Sequence, residues 1–145
     1  MVLYRVTLVI ATVKKEFVNG CFDILHPGHI ELFKYAKSLG DFLNVAIDSD
    51  RKVSEMKGPD RPIYSQEDRA KILESIRYID SVFIFDTKQE LEGLIKVIHP
   101  DILVVGSDWK GKEVVGAEYA KQIVFFDRIN EYSTTKTIQS IINRG

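Results

Sequence analysis

From Lys15 to Ile142, short apolar runs alternate with stretches whose apolar residues recur every three or four positions. The short runs are "KEFVNG", "FLNVAID", "SVFIF", "DILVVG" and "QIVFF". They are rich in β-branched and aromatic residues, so they predict strands. "DILVVG" is apolar without a break, as a strand covered on both faces of a parallel sheet must be. Between the strands lie helical patterns. After the first, Ile30, Phe33, Ala36 and Leu39 fall on one helical face, with Pro27 suited to the first turn and Gly40 to the stop. "SQEDRAKILESI" predicts a helix with Ser65 as N-cap and Asp68 as a weaker version of the capping-box acid. "QELEGLIKVI" predicts another, ended by His99-Pro100. A short helix is expected around Glu118, and a closing helix over "STTKTIQSIINR" with Ile138, Ile141 and Ile142 inward. The polar stretch "SDRKVSEMKGPDRP" reads as a loop with a short helical piece.

This alternation predicts an α/β domain built on a doubly wound parallel sheet of about five strands with right-handed crossovers. Such sheets bind ligands beyond the carboxyl ends of their strands. The loops to inspect are therefore 19–29, 48–62, 106–113 and 127–135. The expected division is an extension over residues 1–13, read as an added edge strand or a poorly ordered end, and one domain over 14–145.

Composition narrows the picture. The chain has 145 residues, enough for one domain with a core that needs no staples. A net charge of −1 argues against a broad surface for nucleic acid or anionic membrane. The lone cysteine, Cys21, excludes an internal disulfide and suits a reducing compartment, so a cytoplasmic location is expected. The opening "MVLYRVTLVIATVKK" lacks a basic leader and a small-residue cleavage pattern, and its apolar run is too short to span a bilayer.

The predicted loops hold the chemistry. In "NGCFDILHPGH", Gly20 permits a sharp turn after the first strand, and the following helix start offers unpaired N–H groups and a positive dipole end to phosphate. His26 and His29, three apart, share one face there and can donate to phosphoryl oxygens as charge builds in a transition state. Gly28 leaves room for phosphate beside the backbone. The pair also fits part of a zinc site, but zinc needs three or four ligands, and neither Cys21 nor His99 completes a familiar pattern. Asp23 is a base, a magnesium ligand or, the reading favoured here, a loop fastener through backbone N–H groups.

These pieces resemble the nucleotidyltransferase superfamily marked by His-x-Gly-His. "GCFDILHPGH" resembles its opening signature, and "KSLGD", "DSD", "KGPDRPI", "EDRAKIL", "IRYIDSV", "PDILVVGSDW" and "YSTT" follow in the family order. The resemblance implies a Rossmann-like fold and transfer of a nucleotidyl group from a nucleoside triphosphate, accompanied by Mg2+, to a phosphorylated acceptor. It makes His26 and His29 transition-state donors and Lys57 a catalytic and acceptor-binding cation, although an isolated lysine in a charged loop is ordinarily just solvated. It implies nucleotide contacts from Gly20, Cys21, Phe22 and Gly28, that of Cys21 through its backbone N–H.

Arg69 matches a family arginine and equally fits a surface ion pair with Glu67 or Asp68. In "VVGSDW", Gly106 would let the nucleotide lie against the backbone, Asp108 would hold a ribose hydroxyl or base edge, and Trp109 would pack on the substrate. The plain alternative is a strand-end turn with an exposed aromatic. Ser133, Thr134 and Thr135 combine an N-cap with an anion site, and Arg128 faces substrate in the family reading.

"NGCFDILH", "KGPDRPI", "PDILVVGSD" and "EVVGAE" are similar to heptose 1-phosphate adenylyltransferases, in the form without a fused sugar kinase. "IRYIDSV", "SDWKGK" and "STTK" are also similar to glycerol-3-phosphate cytidylyltransferases. Residues Arg128–Tyr132 lack the threonine and glycine of the cytidylyl pattern, and Glu131 replaces a glycine usual in the heptose pattern. The favoured substrates are therefore ATP and heptose 1-phosphate, with CTP and glycerol 3-phosphate as the alternative and a non-catalytic nucleotide-binding module as the third reading. A homodimer is the family expectation.

Overall fold

The computed structural model describes residues 13–129 and 131–145. Five parallel strands form one sheet: β1 (Lys15–Gly20), β2 (Phe42–Asp48), β3 (Ser81–Phe85), β4 (Ile102–Gly106) and β5 (Gln122–Phe126), in the order β3-β2-β1-β4-β5. The five helices are α1 (Pro27–Ser38), α2 (Asp50–Lys57), α3 (Gln66–Glu74), α4 (Lys88–Ile98) and α5 (Thr134–Arg144). None of the described helices is long and apolar enough to cross a membrane. The edge strand expected in the first dozen residues, and the dimer contacts tied to it, lie outside the described residues.

Strand periodicity sorts the core into two layers. Val18, Leu43, Val45, Ile47, Ile102 and Val104 point to one face, where Phe33 and Ala36 of α1 and Leu73 of α3 cover them. Phe17, Ala46 and Leu103 point to the other, against Leu91 and Ile95 of α4. Both faces are covered, so apolar residues occupy both sides of the central strands, with Glu16, Asn44 and Asp48 as buried polar exceptions. Burying one of the larger side chains here is worth about 1.5–3 kcal/mol.

The predicted caps hold. Pro27 opens α1, Ser65 Oγ accepts the Asp68 N–H at 3.2 Å, and α4 ends at His99 in a left-handed conformation (φ 50°) before Pro100. The helical piece in the polar loop is α2, which takes more than half of that stretch, and the turn at Glu118 is a single 3-10 turn. The closing helix differs from expectation. Ile141 and Ile142 are 62% and 61% exposed, and no described residue of α5 is buried. The helical period identifies an apolar face, but α5 touches the body of the domain through its first turn, and the isoleucines follow beyond the reach of that contact.

The order of the strands matters for function. The β1–β2 ladder runs over six residue pairs, from Lys15–Phe42 to Gly20–Ile47. The β1–β4 ladder has only two, Glu16–Ile102 and Phe17–Leu103, although both strands continue to Gly20 and Gly106. The sheet therefore opens between β1 and β4 at its carboxyl end. This is also where the strand order reverses, the position at which doubly wound sheets take ligands.

Candidate active site

The turn after β1 is shaped by packing. A Cβ on Gly20 would lie 2.9 Å from the Phe22 ring, so only glycine lets that ring fold back over the strand end. Phe22 itself has φ 48°, a left-handed conformation that a bulky residue adopts rarely and at a cost. Its buried ring meets Phe33 edge-on at 4.9 Å and His29 edge-on at 5.4 Å. Phe22 thus packs its ring between Phe33 and the second histidine.

His26 caps α1 with an extended backbone, and its ring stacks on His29 with centroids 3.7 Å apart and planes 23° from parallel. The backbone N–H of His26 donates to His29 Nδ1 at 3.2 Å. That bond fixes the proton of neutral His29 on Nε2. Burial, then the nearby His26, Lys57 and Arg128, lower the His29 pKa to about 4. His26 is also lowered, by burial and then by Arg128. Both imidazoles are therefore neutral donors at pH 7. Nδ1 of His26 is buried and has no partner among the described residues.

Gly28 serves this pair. A Cβ there would stand 2.9 Å from Cε1 and Nδ1 of His26, so the space expected for phosphate is partly the space of an imidazole. Pro27 has no N–H and that of His29 is bonded to the His26 carbonyl at 3.0 Å, which leaves the Gly28 N–H as the donor of this first turn without a described partner.

The last loop closes over the pair. Tyr132 stacks on His26, with ring centroids 5.8 Å apart and planes at 15°. Thr134 Oγ1 donates to the Ile24 carbonyl at 2.8 Å, joining α5 to the first loop across the sequence. Ser133 Oγ accepts the Lys136 N–H at 3.1 Å, so the N-cap reading holds. The N–H groups of Thr134 and Thr135 begin the helix without intrahelical acceptors and form the anion-ready end. Lys57, the exposed last residue of α2, and exposed Arg128 both act electrostatically on His29. Two cations from distant segments thus converge on the imidazole pair.

Residues 17–140 match the model of a family described as cytidylyltransferase-like. The chain belongs to the cytidylyltransferase-like family. It is 48% identical over 125 residues to the bifunctional protein HldE of Campylobacter fetus, covering 86% of this chain and 27% of that protein. With the HldE of a Nitratiruptor species it shares 50% over 123 residues, 85% of this chain and 26% of the relative. The chain thus spans about a quarter of the length of the curated relatives it matches. Among solved structures, the lipopolysaccharide core biosynthesis protein of Thermoplasma volcanium aligns with a TM-score of 0.61 at 25% identity, over 83% of this chain and 99% of that one. A pantoate-beta-alanine ligase from Francisella tularensis shares the fold, with a TM-score of 0.54 at 18% identity over 79% of this chain and 59% of its own.

In this cytidylyltransferase-like domain Arg69 is fully buried and its ion pair is with Asp50, so the surface pair expected with Glu67 or Asp68 is overturned. Its guanidinium donates to the carbonyls of Tyr64, Cys21 and Asp48 and to Asp50 Oδ1, all at 2.8–3.0 Å. It is a positioning residue that ties the first loop to the end of β2 and the start of α3. At Gly106 a Cβ would lie 2.6 Å from Asp108 Oδ1, so the glycine makes room for that carboxylate. Trp109 is 47% exposed beside it.

Asp23 behaves as the favoured reading has it, with a wider reach. Buried, it accepts the N–H groups of Ile63 and Tyr64 at 2.7 and 3.0 Å, and Arg61 Nε lies 3.5 Å away. It fastens the first loop to the "KGPDRPI" segment. Burial pushes the Cys21 thiol up, so the thiol stays protonated and unreactive. Sequence reasoning missed Tyr132 as a site residue. Its only signal was its place directly before the Ser-Thr-Thr cluster.

Proposed function

We propose that this domain catalyses nucleotidyl transfer, with ATP and heptose 1-phosphate as substrates and ADP-heptose and pyrophosphate as products. An acceptor phosphate oxygen attacks the α-phosphorus in line. One P–O bond forms as the bond to the β-phosphate oxygen breaks, and pyrophosphate departs with that electron pair. The nucleophile arrives ionised, so no general base is needed. Catalysis is then positioning and charge stabilisation.

The observation that carries this reading is the neutral, stacked imidazole pair at the open end of the sheet, with Nε2–H of His29 fixed as a donor. His26 and His29 donate to α- and β-phosphate oxygens, the Gly28 N–H and the α5 start add backbone donors, and Lys57 and Arg128 offset the phosphate charge. Asp108 meets the nucleoside, and Trp109 the substrate. Magnesium would accompany the triphosphate, held by phosphate oxygens and water, where it would lower the charge on the phosphates.

Support for the heptose substrate comes from the "NGCFDILH", "KGPDRPI" and "EVVGAE" segments and from identity near one half with HldE proteins. A soluble sugar phosphate and free nucleotide place the reaction in the cytoplasm. The test is a pyrophosphate-release screen of four triphosphates against several sugar and polyol phosphates. ATP with heptose 1-phosphate is the expected best pair. CTP with glycerol 3-phosphate as the best pair would select the cytidylyl reading, and nucleotide binding without any turnover would leave a binding module. His29→Ala should remove most turnover and keep the fold. Wild-type turnover in that variant would overturn the assignment.

A further inference from the structure

On the α4 side of the sheet, next to the opening between β1 and β4, two polar side chains have no described role. Asp48 ends β2 and is 7% exposed, and its carboxylate bonds the N–H of its own residue and no other described group. A carboxylate bonded only within its own residue keeps acceptor capacity for another partner. Asn19, on β1, is the only exposed residue of that central strand, and no described group bonds its amide. Asn19 pairs with Ala46, and Asp48 lies two residues further along the same face of β2. The two polar groups are therefore diagonal neighbours. Ala46 packs with Phe17, Phe85 and Leu103, which identifies this as the face opposite α1.

The surroundings say what such a pair would bind. Arg69 Nη1 donates to the carbonyls of both Cys21 and Asp48, so the end of β2 lies beside the imidazole turn, and the charges of Lys52, Arg69 and Lys57 act on the Asp48 carboxylate. A phosphate is excluded from direct contact with it by like charge. Neutral hydroxyls are not, and a carboxylate with lone pairs still unused can accept from neighbouring hydroxyls. An amide beside it both donates and accepts. Lys57, whose charge acts on Asp48 and on His29, is the cation available to the acceptor's phosphate while the acceptor's body extends over the sheet end.

We propose that Asp48 and Asn19 form the subsite that reads the hydroxyls of the phosphorylated acceptor, and so select a polyhydroxylated sugar phosphate over a bare alkyl phosphate. This rests on the nucleotidyl-transfer reading and names the specificity residues of that same site.

The experiment compares the wild-type chain with Asp48→Asn and Asn19→Ala, using ATP and two acceptors: heptose 1-phosphate and an alkyl phosphate without hydroxyls. Losing a hydrogen bond to a charged group should lower kcat/KM for the sugar phosphate about 10- to 100-fold in Asp48→Asn. A smaller fall is expected in Asn19→Ala. KM for ATP, ATP affinity by calorimetry and the rate with the alkyl phosphate should stay at wild-type values. If Asp48 instead only positions Lys57, both acceptors will lose the same factor, and the proposal is overturned. It is equally overturned if both variants keep the wild-type preference for the sugar. If the wild-type chain turns over no sugar phosphate at all, the transfer reading fails first, an outcome distinct from an unchanged preference in an active enzyme.

Discussion

Replacing Gly28 by alanine separates the integrity of α1 from the placement of His26. A Cβ at this position would stand 2.9 Å from the His26 ring. Carbon contacts relax at about 3.5–4.0 Å, so the ring must retreat by about 0.6–1.1 Å. It cannot do so freely, because His29 is stacked on it at 3.7 Å and Tyr132 lies beyond at 5.8 Å. The helix should not suffer, since alanine favours helix over glycine by up to ~1 kcal/mol in an interior position and by less in a first turn. Displacing a catalytic group by about 1 Å costs on the order of 100-fold in rate. Gly28→Ala should therefore melt at or above the wild-type temperature while kcat for pyrophosphate release falls by about two orders of magnitude. The His26 ring resonances in a proton NMR spectrum should shift as well. Wild-type kcat with unshifted resonances would refute the packing argument. A fall in melting temperature matching the fall in rate would show that the turn, not the imidazole, had been damaged.

Other consequences follow from buried charge. Arg69→Ala strands three carbonyls and leaves a cavity, so a loss of about 3–5 kcal/mol is expected in chemical denaturation; an unchanged midpoint with a raised KM for ATP would return Arg69 to the nucleotide. Glu16 is fully buried, with Oε1 unpartnered among the described residues, and burial holds its pKa above the usual 4.5. The folded state therefore keeps this proton more readily, and stability should decline as pH rises above that value. Glu16→Gln should raise the melting temperature at pH 7–8 and flatten the decline, and a lower melting temperature would contradict this. His29 has the opposite sign. Its pKa falls from an ordinary 6.5 to about 4, so the unfolded chain binds the proton first and stability drops as pH falls between those values, by up to ~3 kcal/mol. His29→Gln should remove that part of the acid sensitivity in pH-dependent melting, and an unchanged profile would deny the shift.

The legible part of the molecule was the part governed by local pattern. Runs such as "FLNVAID" and "DILVVG" announced strands because both faces of a parallel sheet are covered, and Pro27 and Ser65 announced helix starts because capping depends on neighbours in sequence. The His-x-Gly-His turn stood out for the same reason. What escaped depends on contacts across the chain. Arg69 looks like any helix-surface arginine until Cys21, Asp48 and Tyr64 bring their carbonyls to it from two other segments. The occupant of the space at Gly106 depends on the Asp108 rotamer. For Ile141 and Ile142, periodicity reveals that a face is apolar but carries no information on whether a neighbour meets it.

The bond from Thr134 to the Ile24 carbonyl, with Tyr132 laid over His26, also orders events in time. The turn that holds the imidazoles is made before the cover that completes it, which is drawn from residues more than a hundred positions later. A growing chain halted before that cover arrives would own both histidines and still lack a finished cradle. The cradle is therefore completed only when early and late portions of the domain meet.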